Sequence, residues 1–398
     1  MRMEKEGWEK ESWEREAVQL LQDLIGIRTV NGKDGEKPAA EYICQYLNSR
    51  GVEAFVQDIG EGRGNVIALI QGAHEGKGMI WNGHLDTVDY GSLESWDRPP
   101  WTPVMENGCL FGRGASDMKS GLAAMVYVLG KLGETGQKPG TTIQFLGTCD
   151  EERGGTGARA IISGGYMMEG SVLLIGEPTG CTVGIGQKGC IWLELEVKGK
   201  TSHGAYPEEG CNAVSCAYEA AECLGNWIRL HDHPVLGRAT AQITEIQGGI
   251  QPNMTPDLCT VLMDIRTVPG LTCESILSRL ETIFQDISRK YGGIPGLVPR
   301  IKNHRISIEA DKASLGVATL VKSMEAAGIP EAYSGISYFT DASILAEGRE
   351  GLTTLLFGPG SADMAHKPNE CVRIPDYLRA IGALTNMAAV RIEDESNN

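Results

Sequence analysis

The sequence has no apolar run long enough to cross a membrane, and it has few basic residues for its length. The longest apolar stretch lies within residues 121–130, whereas a membrane-spanning helix needs about 20 consecutive apolar residues. Lys and Arg total 36 against 52 Asp and Glu, which gives a formal net charge of −16. General binding to nucleic acid or to anionic membranes requires a basic surface. We therefore expect a soluble, cytoplasmic protein with neither a signal peptide nor a membrane anchor.

Closely paired cysteines are missing as well. The 11 cysteines form no C-x-x-C motif, so a cysteine zinc site is excluded and nothing indicates a disulfide framework. They are predicted to be small buried residues in a reducing compartment. A catalytic cysteine is the less favoured alternative, because no motif supports one. The chain also shows no internal repeat and no low-complexity linker.

Glycine is abundant, at 52 of 398 residues, well above the usual share of about 7%. The glycines lie beside short apolar runs at 65–70, 78–81, 142–146 and 172–175, and helical patterns cover 8–30 and 120–132. Strands that alternate with helices need crossover connections. They predict an α/β fold with a mixed, mainly parallel sheet flanked by helices.

The pattern changes near residue 188. Residues 191–197 (IWLELEV) alternate between apolar and polar side chains, as a strand with one solvent-facing side does. The block that they begin is predicted to continue as helix, two strands and helix. We expect an inserted α+β domain at 188–304, which interrupts a larger domain formed by 1–187 and 305–398.

Five segments place metal-binding residue types at the ends of predicted strands. In an open α/β sheet, functional groups gather beyond the carboxyl ends of the strands. We therefore expect these segments to converge, although they span most of the sequence. The residues that they offer are His84, Asp86, Asp117, Glu151, Glu152, Glu177 and His366.

Two imidazoles with several carboxylates favour Zn²⁺, with Co²⁺ or Mn²⁺ as alternatives, over the all-oxygen shell of Ca²⁺. Five ligands exceed the three that one catalytic zinc takes, which favours two ions with a shared carboxylate. Neighbours on an extended chain point in opposite directions, so one of Glu151 and Glu152 can bind metal while the other is a general base. Asp86, two residues after His84, suits an orienting carboxylate.

Each of these motifs is weak alone, since an isolated H-x-D is more often a turn and a D-E-E run is usually a solvated helix start. In this order the segments resemble those of the M20 metallopeptidases. That family includes acetylornithine deacetylase, succinyl-diaminopimelate desuccinylase and glutamate carboxypeptidase. The resemblance extends over essentially the whole chain. It implies a zinc-peptidase-like catalytic domain at 1–187 and 305–398, with a ferredoxin-like lid and dimerisation domain at 188–304.

The resemblance also implies a role for each residue of the predicted metal site. Asp117 bridges two metal ions, and the remaining ligands fall into two pairs. One ion is held by His84 and Glu177, and the other by Glu152 and His366.

Further roles implied by the resemblance concern catalysis and substrate binding. Glu151 is the general base, and Asp86 orients the histidine. From the inserted domain, His203 supports the scissile carbonyl oxygen, and Asn253 and Arg266 bind the substrate carboxylate. The structural alternatives are a turn residue for Asn253 and a surface charge for Arg266.

The implied reaction is metal-dependent hydrolysis of the amide bond of a small N-acyl amino acid, of the acetylornithine deacetylase or succinyl-diaminopimelate desuccinylase type. Within the family, the alternative is a dipeptidase or a glutamate-type carboxypeptidase. Outside it, the alternative is a non-catalytic metal-dependent binding protein. The predicted partners are the small-molecule substrate and a second copy of the chain, in a homodimer formed through the inserted domain.

Overall fold

The computed structural model describes residues 2–392, with side chains from residue 12 onward. The helices are α1 (Arg2–Gly26), α2 (Lys37–Asn48), α3 (Lys119–Thr135), α4 (Thr156–Ser163), α5 (Ala213–Ile228), α6 (Cys273–Lys290), α7 (Leu315–Ala326), α8 (Ala342–Leu345) and α9 (Ile374–Ala389). The strands are β1 (Glu53–Gly60), β2 (Arg63–Ile70), β3 (His74–His84), β4 (Val104–Glu106), β5 (Cys109–Phe111), β6 (Thr141–Thr148), β7 (Gly170–Ile175), β8 (Val183–Gln187), β9 (Gly189–Lys198), β10 (Asp232–His233), β11 (Gly237–Arg238), β12 (Thr240–Gly248), β13 (Leu258–Thr267), β14 (Gly296–Arg305), β15 (Ile308–Glu309), β16 (Tyr333–Ile336), β17 (Thr353–Leu356) and β18 (Cys371–Arg373). Among the described helices, none combines the length and the apolar character that a membrane crossing requires.

The chain divides into two compact units. The first comprises Met1–Ile185, Ala310–Ser334 and Ile344–Asn398, and the second comprises Gly186–Glu309 and Gly335–Ser343. The predicted insertion, 188–304, lies within the longer segment of the second unit. The short segment Gly335–Ser343 also belongs to the second unit, whereas the sequence pattern assigned it to the larger domain.

The first unit is built on a mixed sheet with the strand order β1-β2-β6-β3-β7-β17-β8. The strands β6, β3, β7 and β17 run parallel to one another, and the outer strands are antiparallel. Helix α2 packs on β1 and β2, α3 on β3, and α7 on β17. This architecture confirms the predicted α/β class with a mixed sheet flanked by helices. Because the four central strands are parallel, their carboxyl ends lie at one edge of the sheet.

The second unit is a four-stranded antiparallel sheet in the order β12-β13-β9-β14, on which α5 and α6 pack. The alternation predicted for IWLELEV is present, because Ile191, Leu193, Leu195 and Val197 are buried in the core beneath these helices. Helix α5 is capped by Asn212, whose side chain accepts hydrogen bonds from two backbone N–H groups of the first turn. Such a cap satisfies donors that the helix leaves unpaired.

Two features of the fold differ from the predicted elements. The strand β14 was not predicted, because its sequence, GLVPRIKNHR, lacks apolar alternation and contains Pro299; proline is tolerated there because β14 is an edge strand. Helix α1 ends at Gly26, although the apolar spacing predicted a helix that continues to residue 30. Instead, the Thr29 hydroxyl donates to the Leu85 carbonyl and Val30 forms a bridge to Thr87, which fixes an extended segment beside the end of β3.

Candidate metal centre and active site

The candidate ligands lie at the carboxyl edge of the central sheet. His84 is the last residue of β3, Glu151 and Glu152 follow β6, Glu177 follows β7, and His366 lies in the loop after β17. The strands end in buried residues, so the chain reaches this edge with little freedom. The sheet therefore brings residues from distant parts of the sequence to one place.

Glycines allow the loops around the site to approach one another closely. A Cβ atom at Gly121, in the first turn of α3, would overlap the backbone of Gly176 at the end of β7. A Cβ atom at Gly360 would overlap the carbonyl group of Ser116. These contacts place the segment that carries Asp117 against the ends of β7 and β17. The peptide bond between Asp117 and Met118 is cis.

Asp117 lies between the two imidazoles, with one carboxylate oxygen toward each. Its Oδ1 is 3.1 Å from His84 Nε2, and its Oδ2 is 3.4 Å from His366 Nε2. Glu177 Oε1 is 3.9 Å from His84 Nε2, while Glu152 Oε2 is 3.2 Å from His366 Nε2. The ligand atoms of His84, Asp117 and Glu152 lie within 4.8 Å of one another. Each imidazole therefore has one carboxylate of its own beside it and shares Asp117 with the other imidazole, and we call these two groups half-sites.

The electrostatic environment of this cluster favours positive charge. Hydrogen bonds with Asp117 and Glu152 raise the pKa of His366 to about 10, although burial opposes the shift. Burial works against a charged His84, but hydrogen bonds with Asp117 and Asp86 raise its pKa well above the usual value. Carboxylates that stabilise protonated imidazoles so strongly would also stabilise divalent cations. Imidazole nitrogen and carboxylate oxygen are ligands that Zn²⁺, Co²⁺ and Mn²⁺ accept, so the donor set fits such ions.

Asp86 holds the loop after β6 beside His84. His84 Nδ1 lies 3.0 Å from the backbone carbonyl oxygen of Asp86 and 3.5 Å from its Oδ1, and Oδ1 also accepts the backbone N–H of Glu151 at 3.2 Å. Its Oδ2 accepts the backbone N–H of Glu152 at 3.1 Å. Burial raises the pKa of Asp86, but the hydrogen bond to His84 and those to the loop outweigh it, so the net pKa is lowered. Asp86 therefore orients a candidate ligand, mainly through its carbonyl oxygen, and its carboxylate holds the segment that carries both glutamates.

Glu370 was not singled out from the sequence, yet it organises the loop that carries Asp117. Its fully buried carboxylate accepts the backbone N–H groups of Gly114, Ser116 and Asp117 and pairs with Arg113 at 2.7 Å. The sequence signal that could have identified Glu370 was its position at the end of the same segment that carries His366. An acidic residue with four donors is costly to replace, because each donor would be left unpaired in the interior.

Glu36, at the start of α2, is a second buried carboxyl that the sequence did not indicate. It is 1% exposed, and its Oε2 makes no hydrogen bond to any residue that the structure describes. Burial, together with the negative charge of Asp86, raises the pKa of Glu36 to about 7; the charge of Arg63 opposes this shift. An uncharged carboxyl is the form that a buried, unpaired position favours.

We expect the Glu36→Gln variant to flatten the pH dependence of stability. The pKa of about 7 in the folded protein exceeds the ordinary value of 4.5, so the folded state binds this proton more tightly than the unfolded chain. The resulting stability is fully present below pH 4.5 and is lost as the pH rises through 7. Over that window the wild type should lose on the order of 3 kcal/mol of unfolding free energy that Glu36→Gln retains. Urea unfolding across the window measures the difference. Glu41→Gln, an exposed change on the same helix, is the control, and parallel wild-type and Glu36→Gln curves would contradict the expectation.

The three predicted substrate-contacting residues lie in the second unit. His203 is exposed and forms a bridge with Met254, and the N–H of Gly204 donates to the Asn253 carbonyl at 2.8 Å. The structure therefore brings the segments of His203 and Asn253 together. Arg266 lies near the end of β13, where Asp264 takes two of its donors.

Comparison with known proteins identifies the family. The family model described as "Peptidase family M20/M25/M40" matches residues 80–389. A probable succinyl-diaminopimelate desuccinylase of Staphylococcus aureus is 28% identical over 399 aligned residues, covering 92% of this chain and 95% of the relative.

Solved structures share the fold. The aminopeptidase PepT of Bacillus cereus superposes with a TM-score of 0.75 at 19% identity, covering 94% of this chain and 98% of that one. A dinuclear metal-binding M20 peptidase of Bacillus subtilis gives a TM-score of 0.72 at 16% identity, with coverage of 96% and 99%. The family match over most of the chain, together with these likenesses, establishes that this protein belongs to the M20/M25/M40 peptidase family and is a metal-dependent hydrolase.

Proposed function

We propose that this protein is a two-metal hydrolase that cleaves the amide bond of a small N-acyl amino acid. The observation that carries the proposal is the position of Asp117, whose two carboxylate oxygens each face a different imidazole. A single ion would need only one of these half-sites, whereas two ions that share a carboxylate use both. Zn²⁺ is the ion that we propose first, with Co²⁺ and Mn²⁺ as alternatives, because all three accept this donor set.

Two ions bound there would polarise the substrate carbonyl and lower the pKa of a water molecule. The protein then has to move a proton, and Glu151 is the proposed general base. It is 8% exposed and is held beside Glu152 by the hydrogen bond from its own N–H to Asp86. In this role Glu151 takes a proton from the attacking water and passes it to the leaving amine. His203, from the second unit, is proposed to stabilise the negative charge that develops on the carbonyl oxygen.

Arg266 is the proposed partner of the substrate carboxylate, with Asn253 beside it. Asp264 accepts Arg266 Nε at 2.8 Å and Nη2 at 3.1 Å, and Trp192 Nε1 also donates to Asp264 at 3.1 Å. This bidentate contact fixes the plane of the guanidinium group. We propose that Nη1, on the other side of the group, binds the carboxylate of the substrate. A guanidinium held in one orientation loses less entropy when the substrate binds.

The choice among amides rests on the curated relative. Succinyl-diaminopimelate is the substrate class in the name of the S. aureus relative, which supports an N-acyl amino acid. The alternative is a dipeptidase or a glutamate-type carboxypeptidase, since the solved structures that share the fold are those of peptidases. Both reactions use the same catalytic groups, and they differ in the pocket that accepts the acyl group.

A substrate panel tests the proposal. Protein loaded with Zn²⁺, Co²⁺ or Mn²⁺ would be assayed against N-succinyl-diaminopimelate, N-acetyl-ornithine, other N-acyl amino acids and dipeptides, beside a chelated control. We expect metal-dependent release of the acyl group, and a large fall in kcat/KM when the substrate carboxylate is replaced by an amide. Preference for dipeptides would favour the alternative. Metal binding without cleavage of any amide would count against both hydrolase functions and would support a non-catalytic binding protein.

We also propose that the protein is a homodimer through the inserted domain. The edge strand β12 exposes Ile246, and Ile250, which follows it, is 79% exposed. Apolar residues on an unpaired edge favour pairing with a second strand. Light scattering should give twice the mass of 42.8 kDa, and Ile246→Lys should shift the protein toward the monomer. A wild-type monomer at micromolar concentration would refute the dimer.

A further inference from the structure

Asn31 connects two buried carboxylates behind the candidate active site. Its side-chain amide nitrogen donates to Asp86 Oδ2 at 2.8 Å and to Asp150 Oδ1 at 3.1 Å. Asp86 follows the end of β3, and Asp150 lies in the loop after β6, so the amide links two adjacent parallel strands beyond their carboxyl ends. Asn31 itself is fixed by its backbone N–H, which donates to the Thr87 carbonyl at 2.9 Å.

Each carboxylate that Asn31 contacts shapes the segment that carries Glu151 and Glu152. Asp86 accepts the backbone N–H groups of both glutamates. Asp150 has a left-handed backbone with φ of +64°, and its Oδ2 accepts the N–H of Thr156 at 3.3 Å and also the Thr156 hydroxyl. A non-glycine residue in that conformation persists only where surrounding contacts hold it. Asp150 and Asp86 together therefore determine the path of the loop.

Two buried carboxylates that contact the same amide nitrogen repel one another unless donors lie between them. The amide group of Asn31 offers two N–H donors and places one toward each carboxylate. Arg63 Nη1 lies 3.4 Å from Asp150 Oδ1 and supplies positive charge on that side only. On the side of Asp86, the carboxylate accepts Asn31 and the backbone N–H groups of the two glutamates. Asn31 is therefore the group that joins the two halves of this network.

We propose that Asn31 is a positioning residue for the reaction. Its two N–H groups hold the loop after β6 against the end of β3, and thereby fix where Glu151 and Glu152 lie relative to His84. The inference rests on the proposed roles of Glu151 and Glu152. An asparagine that served only folding would affect stability, without a selective effect on turnover or on metal affinity.

The decisive variant is Asn31→Asp, which keeps the size of the side chain and replaces the N–H donors with an acceptor. We expect kcat to fall about 10–100-fold and metal affinity to fall by a similar factor, as for other groups that orient ligands. KM should change by less than about threefold, since Asn31 touches no proposed substrate contact. Asn48→Asp is the matched control, because its amide also donates a hydrogen bond at 2.8 Å but to the backbone of Ala54. That control should retain wild-type kcat and metal affinity.

A double-mutant cycle distinguishes positioning through Asp86 from a general loss of structure. If Asn31 acts through Asp86, Asn31→Ala added to Asp86→Ala should lower kcat much less than Asn31→Ala does in the wild type. Independent, additive losses would overturn the proposal, as would wild-type kcat in Asn31→Asp. Circular dichroism and the Tm of metal-free protein establish whether each variant is folded. If Asn31→Asp does not fold, the kcat and metal affinity of Asn31→Ala are measured instead.

Metal affinity, measured by calorimetry with Zn²⁺ alone, separates this inference from the proposed function. If the wild type binds Zn²⁺ but cleaves no amide in the panel, the proposed function fails. A weaker Zn²⁺ affinity in Asn31→Asp than in Asn48→Asp would then still support positioning of Glu152. Equal Zn²⁺ affinities in Asn31→Asp and Asn48→Asp would overturn the proposal that Asn31 positions Glu152.

Discussion

The Glu151→Gln variant is expected to lose nearly all turnover while it keeps both metal ions. Glutamine has the size of glutamate but cannot accept a proton, and general-base catalysis contributes about 10²–10⁴-fold to a rate. We therefore expect kcat to fall by that factor with little change in KM. Metal content, measured by inductively coupled plasma mass spectrometry, should equal that of the wild type, because Glu151 is proposed to move a proton and not to bind an ion.

The neighbouring residue provides the comparison for this variant. Glu152→Gln replaces a carboxylate 3.2 Å from His366, so it should lose one ion as well as activity. Glu94→Gln, an exposed change in the same unit, should leave both the metal content and kcat unaltered. If Glu151→Gln lost metal while Glu152→Gln kept it, the two roles would be exchanged. If Glu151→Gln retained full turnover, the proposed base would be wrong.

The second large effect is expected from Asp117, the carboxylate that we propose two ions share. Asp117→Ala removes an oxygen from both half-sites, whereas Glu177→Ala removes one from the half-site of His84 only. Metal content should therefore fall from two ions to none in Asp117→Ala and from two to one in Glu177→Ala. Both variants should lose activity by at least about 10³-fold, because a metal ion supplies several kcal/mol of transition-state stabilisation.

Thermal stability provides a second measurement of the same prediction. A ligand that binds only the folded state stabilises it by about 2.7 kcal/mol at 100 times its Kd. Added Zn²⁺ should therefore raise the Tm of the wild type and leave that of Asp117→Ala unchanged. Asp363→Ala, an exposed change in the loop of His366, is the control and should respond as the wild type does. Loss of a single ion in Asp117→Ala would contradict the shared ligand.

The fold class followed from the sequence because the buried strands have a strong local signal. The runs of β3, β6 and β7 are short, apolar and flanked by glycine, as buried parallel strands are. The strand β14 has no such signal, since its residues are mostly exposed and its place is set by pairing with β9. The same reasoning explains the end of α1, where contacts of Thr29 and Val30 with the β3 end override helical spacing.

Residues that support the site were harder to recognise than its candidate ligands. His84 and Asp117 are in short motifs whose residue types already suggest metal binding. Asn31 and Glu36 have no such motif, and Glu370 acquires its role only from the donors that surround it. A buried polar group depends on its partners, and those partners come from other parts of the chain.

The sequence alone specified the α/β class, the segments that converge and the residue types available for metal ions. It did so because local hydrophobic patterns and the parallel sheet direct those segments to one edge. Only the folded structure shows the distances between these residues and the hydrogen bonds that hold them. Those features depend on distances between residues that are far apart in the chain, such as Asp117 and His366, and packing alone sets such distances.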